Sequence, residues 1–421
     1  MEKFVIHGGK KLNGRVQISG AKNSALALMP ATLLNAGKNR LDNIPEVNDI
    51  YTMIKLLSSL GVQSDFADHI LTLDTSDVRN QTAPYEHVKK MRASVYVLGP
   101  LVSRFGYAKV SLPGGCAWGP RPINLHLEAM KKLGAEIRIE EGYVIAEAGR
   151  LHGARIHFDI SSVGATGNAM MAACLAKGNT LISNAAIEPE ISLLAEYLVK
   201  MGAKINGIGT TSLEIEGVNH LQPAQIVNID DRIEAATILV AGAITKSKIE
   251  IDFRNHEHIK SVLIKLEESG TNLLYNKTLI TIDASELRPS NIDISTSVYP
   301  GFPTDMQAQW TAYMATAVGT SKIVDTIYHD RFSHVPELNR LGANIEILNN
   351  SAVVTGGSLL KGAKVMSTDL RASASLVLAG LAASGTTEVL RIYHIDRGYQ
   401  RIEEKLKALG ADIERVKTTE Y

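Results

Sequence analysis

Leu133-Gly134-Ala135-Glu136-Ile137-Arg138-Ile139 is a point where one periodicity ends and another begins. An amphipathic stretch closes on Leu133, and the residues after Ala135 alternate apolar with polar, as a half-buried strand does. Glycine just past a helix takes the left-handed conformation that ends the last turn without a Cβ clash. The same ending recurs at Leu60-Gly61-Val62, Met201-Gly202-Ala203, Ser269-Gly270-Thr271, Leu341-Gly342-Ala343 and Leu409-Gly410-Ala411, with glycines 68 to 73 residues apart. One copy would be an ordinary helix stop; six at near-constant spacing are a repeat that fills the chain. Ala343-Asn-Ile-Glu-Ile347 reads as the strand of one copy and Ser351-Ala-Val-Val354 as its hairpin partner. Gly37, Gly178, Gly319 and Gly385 stand 23 to 25 residues earlier in four copies and close helices rich in Ala and Leu. Each unit therefore reads helix, strand, helix, strand, strand. The period is too long for one turn of a (β/α)₈ barrel and too elaborate for a helical solenoid, so the pattern predicts a pseudo-symmetric α/β protein.

At 421 residues the chain exceeds one ordinary core, and two domains are expected. Lys plus Arg and Asp plus Glu number 44 each, so no overall basic field draws the chain to nucleic acid or an anionic membrane. An anion site has to be built locally. Residues 1–10 lack the apolar core of a secretory signal, and Ala235 to Ile244 falls far short of the roughly 20 residues that span a bilayer. The expectation is a cytoplasmic protein. Cys116 and Cys174 are too few for a disulfide framework or a thiolate metal cage.

The second unit carries an insertion, Leu112-Pro-Gly-Gly-Cys-Ala-Trp-Gly-Pro-Arg121, whose glycines and prolines predict a surface loop presenting Cys116. A cation such as Arg121 favours the thiolate and makes the thiol a usable acid near neutral pH. Cys174, inside Met170-Met-Ala-Ala-Cys-Leu-Ala, reads as packing. Lys22 opens an apolar helix after Ser19-Gly-Ala, where it is either a solvated helix-start lysine or part of an anion site reinforced by backbone N–H groups. Ile327-Tyr-His-Asp-Arg331 and Ile392-Tyr-His-Ile-Asp-Arg397 place two arginines at equivalent strand-to-helix junctions, each with an aspartate as a possible structural partner. Asp231, Asp305 and Asp369 precede Ala-rich helices, where capping is the default role. Gly207-Ile-Gly209 reads as a hairpin turn, and His256 and His258 lack a clear third metal ligand.

The loop Leu112-Pro-Gly-Gly-Cys116 with Arg121-Pro-Ile-Asn-Leu-His126 closely resembles that of the UDP-N-acetylglucosamine enolpyruvyl transferases. Further matches are Ser19-Gly-Ala-Lys-Asn-Ser24, Met91-Arg-Ala-Ser94, Ser162-Val-Gly-Ala-Thr166, Phe302-Pro-Thr-Asp-Met-Gln-Ala-Gln309, Arg331-Phe-Ser-His-Val-Pro-Glu337, Thr368-Asp-Leu-Arg-Ala-Ser-Ala374 and Arg391-Ile-Tyr-His-Ile-Asp-Arg-Gly398. The resemblance covers essentially the whole chain. It implies a two-domain inside-out α/β barrel of six βαβαββ repeats, three per domain, split as residues 21–229 against 1–20 plus 230–421. It also implies an active site in a cleft that closes when the sugar nucleotide binds.

The implied reaction is transfer of the enolpyruvyl group of phosphoenolpyruvate to the 3′-hydroxyl of UDP-N-acetylglucosamine, by addition and then elimination of phosphate. By resemblance Cys116 is the general acid and the target of fosfomycin, and Asp305 is the carboxylate that contacts the sugar hydroxyl as its base. Lys22, Asn23, Arg121 and Arg397 hold phosphoenolpyruvate, with Arg331 and Arg371 nearby. Arg92, Arg121, Pro122, Ile123, Asn124, Leu125, Ser162, Val163, Gly164, Asp305 and Ile327 receive the nucleotide. The family's best-known members have aspartate where this chain has Asn124, which weakens any contact that needs a carboxylate. His126 either touches the substrate or faces solvent at its helix start. No metal, cofactor or obligate protein partner is implied. The nearest alternative is 5-enolpyruvylshikimate-3-phosphate synthase, which lacks this type of loop. RNA 3′-phosphate cyclases share related repeats but sit poorly with zero net charge, and a silent binding protein sits poorly with Lys22, Cys116, Asp305 and Arg397 all in place.

Overall fold

Each of the six repeat-ending glycines has positive φ, from 91° at Gly410 to 105° at Gly61. A strand starts two residues later in every copy. In the computed structural model, which describes residues 1–88, 91–112, 123–286, 288–328 and 330–420, Gly37, Gly178, Gly319 and Gly385 also have positive φ and immediately precede the strands Lys38–Asp42, Asn179–Ser183, Thr320–Val324 and Thr386–Leu390. The second repeat uses Gly106 (φ 72°), farther from Gly134 than its counterparts, and in the fourth Lys246 takes the left-handed turn at φ 52°.

Every repeat forms its own four-stranded sheet in the order first, second, fourth, third. First and second strands run parallel and the remaining pairs antiparallel. A parallel pair needs a crossover, and here a helix supplies it. The first strands, such as Thr82–Ala83 and Ile294–Ser295, have only two to five residues. They turn the expected helix-strand-helix-strand-strand unit into βαβαββ. Gly207 and Gly209, both at φ 80°, turn the chain between the antiparallel strands Lys204–Asn206 and Ser212–Glu216, as expected of a hairpin.

The chain divides into two compact units, Met1–Ser19 with Asp230–Tyr421, and Gly20–Ile229. In the first, the helices Arg232–Ile244, Gln307–Thr316 and Leu370–Ala382 pack on one another and are buried almost all round. Their runs of Ala, Leu and Val carry no polar stripe because no face meets water. Each is flanked by its own sheet, so helices fill the interior and sheets lie outside. Lys22–Ala31, Leu98–Phe105 and Val163–Ala173 are the corresponding helices of the second unit. Helices after the second strand are one-sided instead: Asn48–Ser59 buries Ile50, Met53, Leu56 and Leu57. Among the described residues no helix is long and apolar enough to cross a membrane.

The first unit borrows its N-terminal strands from far away. Asn13–Gln17 pairs with Lys248–Asp252, and Glu2–His7 lies between Thr386–Leu390 and Asp412–Lys417. Gln225–Val227 likewise completes the sheet of Lys38–Asp42 in the second unit. The chain thus passes from unit to unit at Ser19–Gly20 and again at Ile229–Asp230. In the first unit Asp231 N–H donates to Ser19 O at 2.8 Å, and in the second Ala21 N–H donates to Ile229 O at 2.7 Å.

Gly20 has no room for a side chain. A Cβ there would stand 1.8 Å from the carbonyl oxygen of Asn43, whose own side chain donates to Asn228 O. Gly20→Ala is expected to cost about 3 kcal/mol, the upper range of overpacking, because backbone rather than a flexible side chain has to move. Gly149→Ala, with nothing within 4 Å of its Cβ, serves as control. Equal urea midpoints for the two variants would contradict this.

Candidate functional site

In the first unit Asp305 lies in a short 3₁₀ turn, Thr304–Met306, ahead of the Gln307–Thr316 helix. Its two sequence counterparts are helix caps. Asp231 accepts from the N–H groups of Ile233 and Glu234, and Asp369 from those of Arg371 and Ala372. The Asp305 carboxylate is instead held by Arg371 Nη2 at 2.7 Å and Arg331 Nη2 at 2.9 Å. Arg371 is 4% exposed and follows the capping Asp369 by two residues, so the start of its helix aims it at Asp305. Burial opposes charge on both guanidiniums, yet Asp305, with Asp369 beside Arg331 and Asp231 beside Arg371, holds both above the ordinary arginine range.

Sequence reasoning missed what surrounds this cluster. Arg331 Nη1 donates to Thr304 Oγ1 at 2.9 Å, and that hydroxyl donates to Asp325 Oδ2 at 2.7 Å. The buried Asp325 also accepts from Thr296 Oγ1 and from the N–H groups of Ile327 and Tyr328, which fixes the turn carrying Ile327. Behind Arg371 lies the ring of Tyr399, 5.3 Å from the guanidinium carbon. Gln309 Nε2 donates both to Tyr399 Oη at 3.1 Å and to Asp305 O at 2.9 Å. The only advance signal was the Asp-Thr-Ile turn after a strand.

The two parallel phrases diverge in their partners. Arg331 pairs with Asp305, 26 residues away in sequence, while Asp396 pairs with Arg415 at 2.7 Å. Arg397 ends the 3₁₀ segment Ile392–Arg397 and is partly exposed. Burial pushes the His394 imidazole below its usual value; Asp369 opposes this and Arg397 adds to it.

The second unit holds the remaining described residues. Lys22 is the first residue of its helix and is nearly buried, its ammonium 3.3 Å from Asp49 Oδ2. Asn228 Nδ2 donates to Ala21 O at 2.9 Å and Ser24 Oγ donates to Asn228 Oδ1, so a buried amide fixes where that helix begins. Asn23, next to Lys22, is exposed. Arg92 opens the 3₁₀ segment Arg92–Val97; Ile123 precedes Asn124 and Leu125 at the start of Asn124–Lys132; Ser162 caps Val163–Ala173, its hydroxyl accepting from Ala165 N–H at 3.3 Å. Cys116, Arg121 and Pro122 lie outside the described residues. Cys174 is wholly buried, and burial pushes its thiol up to about 12, which makes it inert. His126 corrects the solvent-facing alternative. It is 3% exposed, because the start of its helix is covered by Val163–Ala173.

Buried histidines make stability pH-dependent. Burial is the main influence on His334 and pushes it down to about 4; Asp369 opposes this and Arg331 adds to it. Its unfolded value is about 6.5. Below that pH the unfolded chain binds a proton that the folded chain refuses, so stability falls as pH drops from about 6.5, and this contribution levels off near 4. The urea midpoint of His334→Phe is expected to fall less than that of the wild type between pH 6.5 and 4.5. Parallel curves would refute the assignment.

Six βαβαββ repeats fall in two units, with a carboxylate between two arginines in one and a buried lysine at a helix start in the other, and similarity to known proteins places this fold in the enolpyruvyl transferase class. Residues 6–406 match the sequence profile of EPSP synthase (3-phosphoshikimate 1-carboxyvinyltransferase). The enolpyruvyl transferase NikO from Streptomyces tendae superposes with a TM-score of 0.90 at 25% identity, over 99% of both chains. EPSP synthase from Acinetobacter baumannii shares the fold, with a TM-score of 0.75 at 17% identity over 99% of this chain and all of its own. Proteins named UDP-N-acetylglucosamine 1-carboxyvinyltransferase are 58% identical in Chloroherpeton thalassium, over all of this chain and 99% of that one, and 57% identical in Chlorobium limicola, over all of both. The chain belongs to the UDP-N-acetylglucosamine 1-carboxyvinyltransferase family.

Proposed function

We propose that this transferase moves the enolpyruvyl group of phosphoenolpyruvate onto the 3′-hydroxyl of UDP-N-acetylglucosamine and releases phosphate, the first committed step of peptidoglycan synthesis, in the cytoplasm. The observation that carries the reading is end-to-end identity of 57–58% with proteins bearing that name. The matching profile is named for the shikimate enzyme, which supports carboxyvinyl transfer, and the acceptor is read from the relatives' name.

The sugar oxygen bonds to C2 of phosphoenolpyruvate while C3 gains a proton, giving a tetrahedral phosphoketal. Loss of a C3 proton and cleavage of the bond to the phosphate oxygen then restore the double bond. In this reading Cys116 delivers the proton to C3 and Asp305 takes the one from the sugar hydroxyl. Charge-assisted bonds from Lys22, Arg121 and Arg397, with Arg331 and Arg371 nearby, hold the donor's phosphate and carboxylate, each worth about 1.5–3 kcal/mol. Asn23 sits beside Lys22 in that role, and Arg92, Arg121, Pro122, Ile123, Asn124, Leu125, Ser162, Val163, Gly164 and Ile327 take the nucleotide. Arg331 and Arg371 occupy one oxygen each of the Asp305 carboxylate. An arriving phosphate that draws Arg331 or Arg371 to itself frees Asp305 for the sugar.

The test is phosphate release from phosphoenolpyruvate with each acceptor. Release with UDP-N-acetylglucosamine alone is expected. Stimulation by shikimate 3-phosphate in its place would overturn the assignment.

A further inference from the structure

Asn168 and His126 lie in one unit, on the helices Val163–Ala173 and Asn124–Lys132. Asn168 is wholly buried, and its Oδ1 accepts from the Gly99 N–H at 2.7 Å, which fixes the orientation of the amide. Its Nδ2 then donates to Val95 O at 2.9 Å and meets His126 Nδ1 at 3.1 Å. A ring nitrogen that accepts carries no proton, so a neutral His126 carries its proton on Nε2. Burial, with Arg92 adding its charge, pushes this imidazole down to about 3 and keeps it neutral at working pH.

His126 Nε2 has a defined outlook. A Cβ on Gly164 would stand 3.0 Å from both Nε2 and Cε1, so the nitrogen lies against the first turn of Val163–Ala173. At that turn Ser162 takes up the N–H groups of Ala165 and Thr166. Among the described residues nothing accepts from the N–H groups of Val163 and Gly164, nor from His126 Nε2. Donors therefore gather at one helix start, where an anion is favoured, and the acceptor is missing.

We propose that Asn168 is a positioning residue for the nucleotide site: it locks His126 as the Nε2–H tautomer, which donates to a diphosphate oxygen of the sugar nucleotide bound at Ser162–Gly164. This rests on the reading that Ser162, Val163 and Gly164 receive UDP-N-acetylglucosamine.

Long-range ¹H–¹⁵N spectra of the full-length enzyme, with His126 assigned by comparison with His126→Gln, test the tautomer. A bare Nδ1 and a protonated Nε2 are expected near neutral pH, and Nε2 is expected to shift on adding UDP-N-acetylglucosamine. Asn168→Asp puts an acceptor where the donor was and should move the proton to Nδ1. That variant is expected to raise KM for UDP-N-acetylglucosamine about tenfold, the loss of one charge-assisted bond, with kcat and KM for phosphoenolpyruvate within about twofold of wild type. His126→Gln, whose amide N–H reaches the Nε2 position, should largely keep the nucleotide KM. Protonation on Nδ1 in the wild type, or a folded Asn168→Asp with unchanged nucleotide KM, overturns the proposal. Should Asn168→Asp not fold, an Nε2 signal indifferent to saturating nucleotide overturns it equally. Wild-type enzyme that neither binds nor turns over UDP-N-acetylglucosamine would sink the functional reading instead, whatever the tautomer.

Discussion

Cys116→Ala is expected to lower turnover about 10²–10⁴-fold, the usual contribution of a positioned proton donor, and to abolish covalent labelling by fosfomycin. Alanine removes only the sulfur at residue 116, so the loss should fall on kcat more than on KM for either substrate. The chain has one other thiol, Cys174, which is buried and pushed up to about 12 and so is no competing site for the epoxide. Intact-mass measurement should thus show a single adduct on the wild type and none on the variant. Full turnover with undiminished labelling would remove Cys116 from the chemistry.

The second large effect is expected at Asp305. Asp305→Ala leaves Arg331 and Arg371 side by side with their shared counter-charge gone, and Arg371 is almost wholly buried. Breaking a buried pair typically costs 3–5 kcal/mol; the Asp305 side chain is 26% exposed, so water screens part of the change and about 2 kcal/mol is expected. Asp305→Asn keeps the size and one acceptor oxygen, which separates structure from chemistry. Its urea midpoint should fall less than that of the alanine variant, while its turnover drops to the same level, at least about 10²-fold below wild type. An asparagine variant with near-normal turnover would reduce Asp305 to an ion-pair partner.

The repeat was legible because its glycines are a backbone necessity: a positive φ two residues before a strand admits few other residues cheaply. Where another solution was used, the signal vanished. Lys246 takes one such turn without glycine, and Gly106 breaks the spacing that marked its counterparts. The first strands were invisible for a different reason, since two residues such as Thr82–Ala83 cannot display an alternation. At the candidate site, the motifs marked Asp305, Arg331 and Arg371 one by one. What joins them is tertiary: Arg371 reaches Asp305 across 66 residues, and Thr304, Asp325, Gln309 and Tyr399 complete the surroundings from separate elements. The burial of His126 was equally hidden, because a histidine at a helix start looks the same whether water or a neighbouring helix covers it.

The borrowed strands impose an order on biosynthesis. Glu2–His7 is made well before either of its partners, Thr386–Leu390 and Asp412–Lys417, which lie more than three hundred residues further on. Asn13–Gln17 waits for Lys248–Asp252. Gly20–Ile229, whose closing strand Gln225–Val227 arrives with its last residues, can therefore be complete while the ribosome is still at work. The other half keeps Glu2–His7 without its neighbours until residues 386–417 have been made, and loss of Asp412–Lys417 leaves that strand with one partner in place of two.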